Sequence, residues 1–263
     1  MIQFSYIMID PLRSFDSGVE IQRALALIKD CGYDGVEINL TEPLGVELDD
    51  LHHWLDDLEL ELPSFLTGEA YHDGLCLCSP DESVRRATVQ RLIQYLDSTA
   101  ESNAILVVGL LQGNRGDEAD SMLANQRIGD CLSRVAEAAE KRKVDLVLEP
   151  INHLQVGFNH TVAEVRQLIA AIGSPAVRPM VDTIHMNIEE ASLTQPIRDC
   201  GTELRHVHLC ESNAGNFGTG HVDFRAVLNT LDEVGYHGFA STKVYRESLE
   251  IGAPKAIEYL RQL

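Results

Sequence analysis

Positive charge is scarce in this chain: 21 Lys and Arg stand against 41 Asp and Glu, a formal net charge of −20. Such a surface repels phosphate backbones and anionic lipid, so no nucleic acid and no membrane is expected as a partner. A polyanionic substrate is disfavoured too, unless a local basic site gathers it. Long apolar runs are also missing; none approaches the roughly 18 residues that mark a membrane span. The opening MIQFSYIMID lacks a basic n-region and a small-residue cleavage site, so the expected location is the cytoplasm. The cysteines (Cys31, Cys76, Cys78, Cys131, Cys200, Cys210) form no CxxC pair and are too sparse for a disulfide scaffold. Cys76 and Cys78 read as two small loop residues, with a redox or metal pair as the alternative. No linker, low-complexity segment or shift in composition divides the chain, so one domain is expected over residues 1–263.

What is present is one rhythm kept to the end. Short β-rich runs occur at 2–9, 35–40, 62–68, 104–110, 145–150, 177–182, 204–211 and 238–245. Helical periodicity fills stretches between them, as at 19–28, 84–96 and 128–139. Ser79-Pro80-Asp81-Glu82 offers an N-cap with Pro at the first helical position and Glu at the third, and Thr161 with Glu164 offers a capping box. Gly32 and Gly235 sit where helices should end, each followed by a similar joint, GYDGVEI and GYHGFAS. Strand and helix alternating eight times with right-handed crossovers predict an α/β fold, a single (β/α)8 TIM barrel. The alternative, a doubly wound open sheet, is disfavoured because no GxGxxG follows the first strand.

A barrel places its chemistry at the C-terminal ends of its strands. There the sequence sets Glu149, Asp182, His208 (with Glu211 beyond it) and Lys243 on four consecutive strands. Two carboxylates and an imidazole suit Mn²⁺, Mg²⁺, Co²⁺ or Zn²⁺, with positions left for a bidentate substrate. Taken one at a time, a strand-end acid caps its loop and a histidine satisfies a buried hydrogen bond; their joint placement points to a site.

The segments LVLEPIN, VDTIHMNIEE, HVHLCESN and GTGHVDF resemble the sugar isomerase/epimerase branch of the xylose isomerase-like TIM barrels, which includes the ketose 3-epimerases. TGEAYHDGLCLCSPDESVRR and ILVVGLLQGNRG add a likeness to the 5-keto-L-gluconate epimerase type. The resemblance implies a divalent metal held by Glu149, Asp182 and His208, a proton moved by Glu149, and a substrate-binding role for His185. Three positions depart from the family pattern. Lys243 stands where the family has a fourth-ligand glutamate that is also the second acid/base, Gln155 replaces a glutamate, and Ala214 replaces an arginine.

The expected reaction is proton abstraction next to a carbonyl through an enediolate, giving an isomer or epimer of a keto sugar or keto sugar acid. Glu149 and Lys243 are the expected acid/base pair. His185, Glu211, Gln155, His221 and Arg246 are expected to contact the sugar, and Phe65, Leu110 and Phe217 to supply apolar walls. A dehydratase or lyase on the same site, and a non-catalytic sugar-binding homologue, are the alternatives. An abasic-site endonuclease, found in the same superfamily, is opposed by the net charge. A homo-oligomer is left open. For Lys243 three states are open: an uncharged amine facing Glu149 across the substrate, which is favoured; an ammonium paired with Glu149; or an outward rotamer with Glu247 or Glu211 filling the coordination.

Overall fold

The computed structural model describes residues 2–263. Eight parallel strands close into one barrel in sequence order: β1 (Gln3–Ile7), β2 (Gly35–Asn39), β3 (Ser64–Leu66), β4 (Ile105–Val108), β5 (Leu146–Leu148), β6 (Val177–Asp182), β7 (His206–Leu209) and β8 (Phe239–Thr242), with β8 pairing back to β1. Every expected strand is present; β6 keeps its full expected span and the others are trimmed to the part that pairs.

Around them run α1 (Gly18–Cys31), α2 (Leu48–Asp57), α3 (Glu69–His72), α4 (Glu82–Glu101), α5 (Ser121–Arg142), α6 (Val162–Ile172), α7 (Thr183–Glu189), α8 (Gln195–Cys200), α9 (Phe224–Glu233) and α10 (Leu249–Leu260). The Thr161–Glu164 capping box forms at the start of α6. Gly32 and Gly235 end α1 and α9 at φ +94 and +72, where a Cβ is penalised. The start of α4 differs from expectation. Asp81, not Ser79, is the N-cap, its carboxylate accepting from Ser83 N, while Ser79 Oγ accepts from Asp81 N one turn earlier. Two capping-type residues compete here, and the charged acceptor gains more from the helix N-terminus.

The strands' alternation divides the barrel interior into two kinds of surface. Leu66, Ile105, Val107, Val147 and Met180 form an apolar cluster from β3 to β6. On the side where the barrel closes, Ser5, Glu37, His206 and Ser241 are buried and bonded to one another: His206 Nε2 meets Glu37 Oε1 at 2.6 Å, Ser5 and Ser241 hydroxyls lie 2.6 Å apart, and Ser241 donates to Glu37. The C-terminal mouth lies above both halves. Asp182 pairs in register with His208, and His208 with Ser241, so neighbouring strands deliver their side chains at one level.

Candidate active site at the barrel mouth

Above β5 to β8 five titratable side chains are buried together. Glu149, just past β5, is 7% exposed, Asp182 and His208 are 0% and 1%, and Lys243, just past β8, is 5%. His185, 2% exposed, rises from α7, which Asp182 caps by accepting from Ile184 N. One residue thus both starts the helix that carries His185 and faces the site with its other oxygen.

The geometry centres on Lys243. Its Nζ lies 2.6 Å from Asp182 Oδ2 and 3.5 Å from both Glu149 Oε1 and His208 Nδ1. Asp182 Oδ2 accepts no well-aligned hydrogen bond, so it is answered electrostatically by Lys243 rather than by a directed donor. His208 bridges two carboxylates, with Nε2 3.1 Å from Glu37 Oε2 and Nδ1 3.1 Å from Glu149 Oε1. His185 Nδ1 meets Asn152 Nδ2 at 2.7 Å, which turns Nε2 toward Asp182 Oδ2 (3.6 Å) and Glu149 Oε1 (3.8 Å).

Charge follows from these contacts. Burial works to raise the Glu149 and Asp182 carboxyls, but Lys243 and the neighbouring histidines outweigh it and hold both below the usual range, Asp182 well below. Burial opposes charge on Lys243 as well, and Asp182 with Glu149 overcomes it, so the ammonium persists well above its ordinary range. His208 is raised because Glu37 outweighs burial, whereas burial keeps His185 and His206 low. The uncharged amine expected for Lys243 belongs to a site holding a divalent ion; without one, the contacts favour the ammonium. The side chain points inward against Asp182 and Glu149, whose carboxylates outweigh burial and favour its charged form. Nor is it swung outward: Glu247 bonds Asn216, and Glu211 accepts from the Ser212, Gly218 and Val222 amides.

Glu149, Asp182 and His208 each offer a donor atom within 4.8 Å of the others. Two carboxylate oxygens and an imidazole whose other nitrogen is anchored on Glu37 match a divalent ion in kind and spacing. The unanswered lone pairs of Asp182 Oδ2 fit as well. Lys243 now sets a single positive charge among those donors.

Over this cluster opens a cavity of about 230 Å³, lined by Glu149, Gln155, His185, His208 and Lys243 together with Asn39, Glu69, His72, Tyr245 and the apolar Ile7, Ile9, Leu66, Leu110 and Ile151. Gln155 stands at its rim. His221, Arg246 and Glu211 do not line it. His221 is exposed and bonds Ser212 Oγ at 3.2 Å, Arg246 is exposed beyond β8, and Glu211 staples the loop after β7. Of the expected walls only Leu110 serves. Phe65 is fully buried in the packed core, and Phe217 stacks on Phe224 with centroids 4.5 Å apart.

Glu37 and Asn152, which orient His208 and His185, were not anticipated, nor were Asn39 and Tyr245. Glu37 had a signal: in GVEIN it is the one charged side chain of a strand buried at all five positions. The HVH alternation likewise puts His206 and His208 on one face.

The sequence profile of the xylose isomerase-like TIM barrels matches residues 25–263. The chain belongs to this family. Among xylose isomerase-like relatives, it is 31% identical over 223 residues to the L-ribulose 3-epimerase of Mesorhizobium japonicum, covering 82% of this chain and 73% of that one. With the ketose 3-epimerase of Arthrobacter globiformis it shares 28% over 222 residues, 83% and 75% of the two chains. A solved L-ribulose 3-epimerase superposes with a TM-score of 0.88 at 25% identity, over 100% of this chain and 94% of that one. All three of these neighbours carry the names of sugar epimerases. No helix among the described residues is long and apolar enough to cross a membrane.

Proposed function

We propose that the protein epimerises a free keto sugar or keto sugar acid by moving a proton at the carbon beside the carbonyl. The observation that carries this reading is Glu149: a carboxylate kept ionised by Lys243 and its histidine neighbours at the floor of a sugar-sized cavity, in a chain whose relatives include ketose 3-epimerases. An ionised carboxylate in that position is a ready base. Lys243, its Nζ 3.5 Å from Glu149 Oε1 on the same side, donates to the growing oxyanion; Glu149 takes the carbon-bound proton and passes it to solvent, and water supplies a proton to the opposite face of the same carbon. His185, held by Asn152, and Asn39 and Gln155 orient hydroxyls, while Ile7, Ile9, Leu66, Leu110 and Ile151 pack against the carbon chain.

A divalent ion would be held by Glu149, Asp182 and His208, and Mn²⁺, Mg²⁺, Co²⁺ or Zn²⁺ would there polarise the carbonyl as a Lewis acid. The free sugar, rather than its phosphate, fits because Lys243 is the sole Lys or Arg among the described lining residues and is already paired. The test is incubation with L-ribulose, D-psicose and related ketoses in D₂O with and without Mn²⁺, followed by NMR. Deuterium entering at the carbon next to the carbonyl with formation of the epimer supports the reading. Loss of water, or no exchange with any ketose, overturns it.

A further inference from the structure

Outside the barrel mouth a second donor cluster sits behind one wall of the cavity. Cys76 and Cys78 lie between α3 and α4, with their sulfurs 3.5 Å apart, and Asp117 follows β4; one donor atom of each lies within 4.8 Å of the others. From these three side chains we infer a binding site for a soft divalent metal, Zn²⁺ in class, formed by two thiolates and a carboxylate. It is independent of the epimerase reading.

The spacing fits. Zn–S bonds of about 2.3 Å in tetrahedral array place two sulfurs about 3.8 Å apart, so the pair needs only a slight opening. Both thiols are buried, Cys76 at 4% and Cys78 at 0% exposure. The donors are also positioned. Cys76 N is held by the buried Thr88 hydroxyl at 2.9 Å, Leu77 N by Leu111 O at 2.8 Å, and Asp117 Oδ2 by Tyr71 OH and Asn114 N at 2.8 Å each. Gly113, at φ +86, lets the backbone pass against the cluster, for a Cβ there would fall 2.5 Å from Cys76 Sγ, 2.6 Å from Cys78 Sγ and 3.1 Å from Asp117 Oδ2. The metal therefore approaches from the face away from Gly113.

Among the described residues no Lys, Arg or His forms an ion pair with Asp117, whose Oδ2 is bonded instead by Tyr71 OH and Asn114 N. The nearby Arg127 pairs with Glu118 and the Cys78 carbonyl. Binding forms two metal–sulfur bonds and releases two thiol protons to solvent, with no change of oxidation state. The thiolate pair favours Zn²⁺ and softer ions such as Cd²⁺ and would not hold Mg²⁺ or Mn²⁺, which the oxygen and nitrogen donors of the barrel mouth suit. Tyr71 ties Asp117 to α3, whose Glu69 and His72 line the cavity, so metal here would clamp that wall.

The probe is Cd²⁺, added to reduced, metal-stripped protein and followed by thiolate-to-metal absorption, with bound metal counted after gel filtration. Parent and His208→Ala are each expected to show the thiolate band and hold one Cd²⁺ in common, while Cys76→Ser/Cys78→Ser loses both band and equivalent. Asp117→Asn should weaken binding at least tenfold. Cys76→Ser alone serves if the double variant does not fold. An unchanged band and stoichiometry in the serine variants overturns the site. So does a parent without a thiolate band, or recovery of Cys76 and Cys78 as a disulfide from protein purified without reductant.

Discussion

Lys243→Met should tighten Mn²⁺ binding by a hundredfold to a thousandfold. In the parent, Nζ lies 2.6 Å from Asp182 Oδ2 and 3.5 Å from Glu149 Oε1, so a divalent ion on the same donors must contend with the ammonium in one of three ways. Keeping both charges about 4 Å apart costs roughly 8 kcal/mol at an effective dielectric of 20, twice the single-charge value. Removing the proton from even an ordinary lysine at pH 7.5 costs about 4 kcal/mol, and its pairing with Asp182 adds to that. Swinging the side chain out breaks a buried pair, about 3–5 kcal/mol. The cheapest routes cost about 3 to 4 kcal/mol, which is two to three orders of magnitude in affinity. Titration calorimetry with Mn²⁺ on both proteins reads this directly. The same change should lower the melting temperature of the metal-free protein, since two buried carboxylates lose their cation, and saturating Mn²⁺ should restore it. Equal or weaker Mn²⁺ binding in Lys243→Met would refute the reasoning.

Glu149→Gln keeps volume and one oxygen but removes the base, so turnover should fall at least 10²- to 10⁴-fold with an unchanged circular dichroism spectrum; near-parental turnover removes Glu149 from the mechanism. Glu37→Gln should cut metal affinity or kcat about 10- to 100-fold without touching the sugar, and NMR titration should show the His208 imidazole falling back toward its ordinary range; an unmoved His208 titration counts against that coupling. Because the folded Asp182 and Glu149 carboxyls are depressed, their contribution to stability is present above the unfolded value of about 4 and is lost as pH falls through the folded values. Urea unfolding of the metal-free protein between pH 3 and 7 should show this acid loss, and Lys243→Met should shrink it.

The barrel was legible because strand and helix periods alternate without interruption, and the four strand-end residues because a barrel's topology sends them to one place. Register made the rest hard to see. His221 and Arg246 follow strands that feed the site, but the loop after β7 is folded back on Glu211 through three backbone amides, which carries His221 away from the cavity. Glu37 sits two positions below a strand end, so attention to strand ends alone passes over it. The charge of Lys243 depends on the number of carboxylates within a few ångströms, a quantity fixed by packing rather than by position in the chain.

The polar half of the barrel interior bears on how the chain folds. Ser5 on the first strand and Ser241 on the last are 236 residues apart and share a contact that exists only when the circle is complete. Until then Glu37 has only Ser5 of the neighbouring strand, at 3.5 Å, and lacks Ser241 and both histidines, so any partial barrel that buries it leaves the carboxylate poorly answered. The seam therefore penalises every incomplete arrangement of strands, and folding should be all-or-none across the circle, with fragments cut before β8 gaining stable tertiary structure only when the missing strand is supplied in trans.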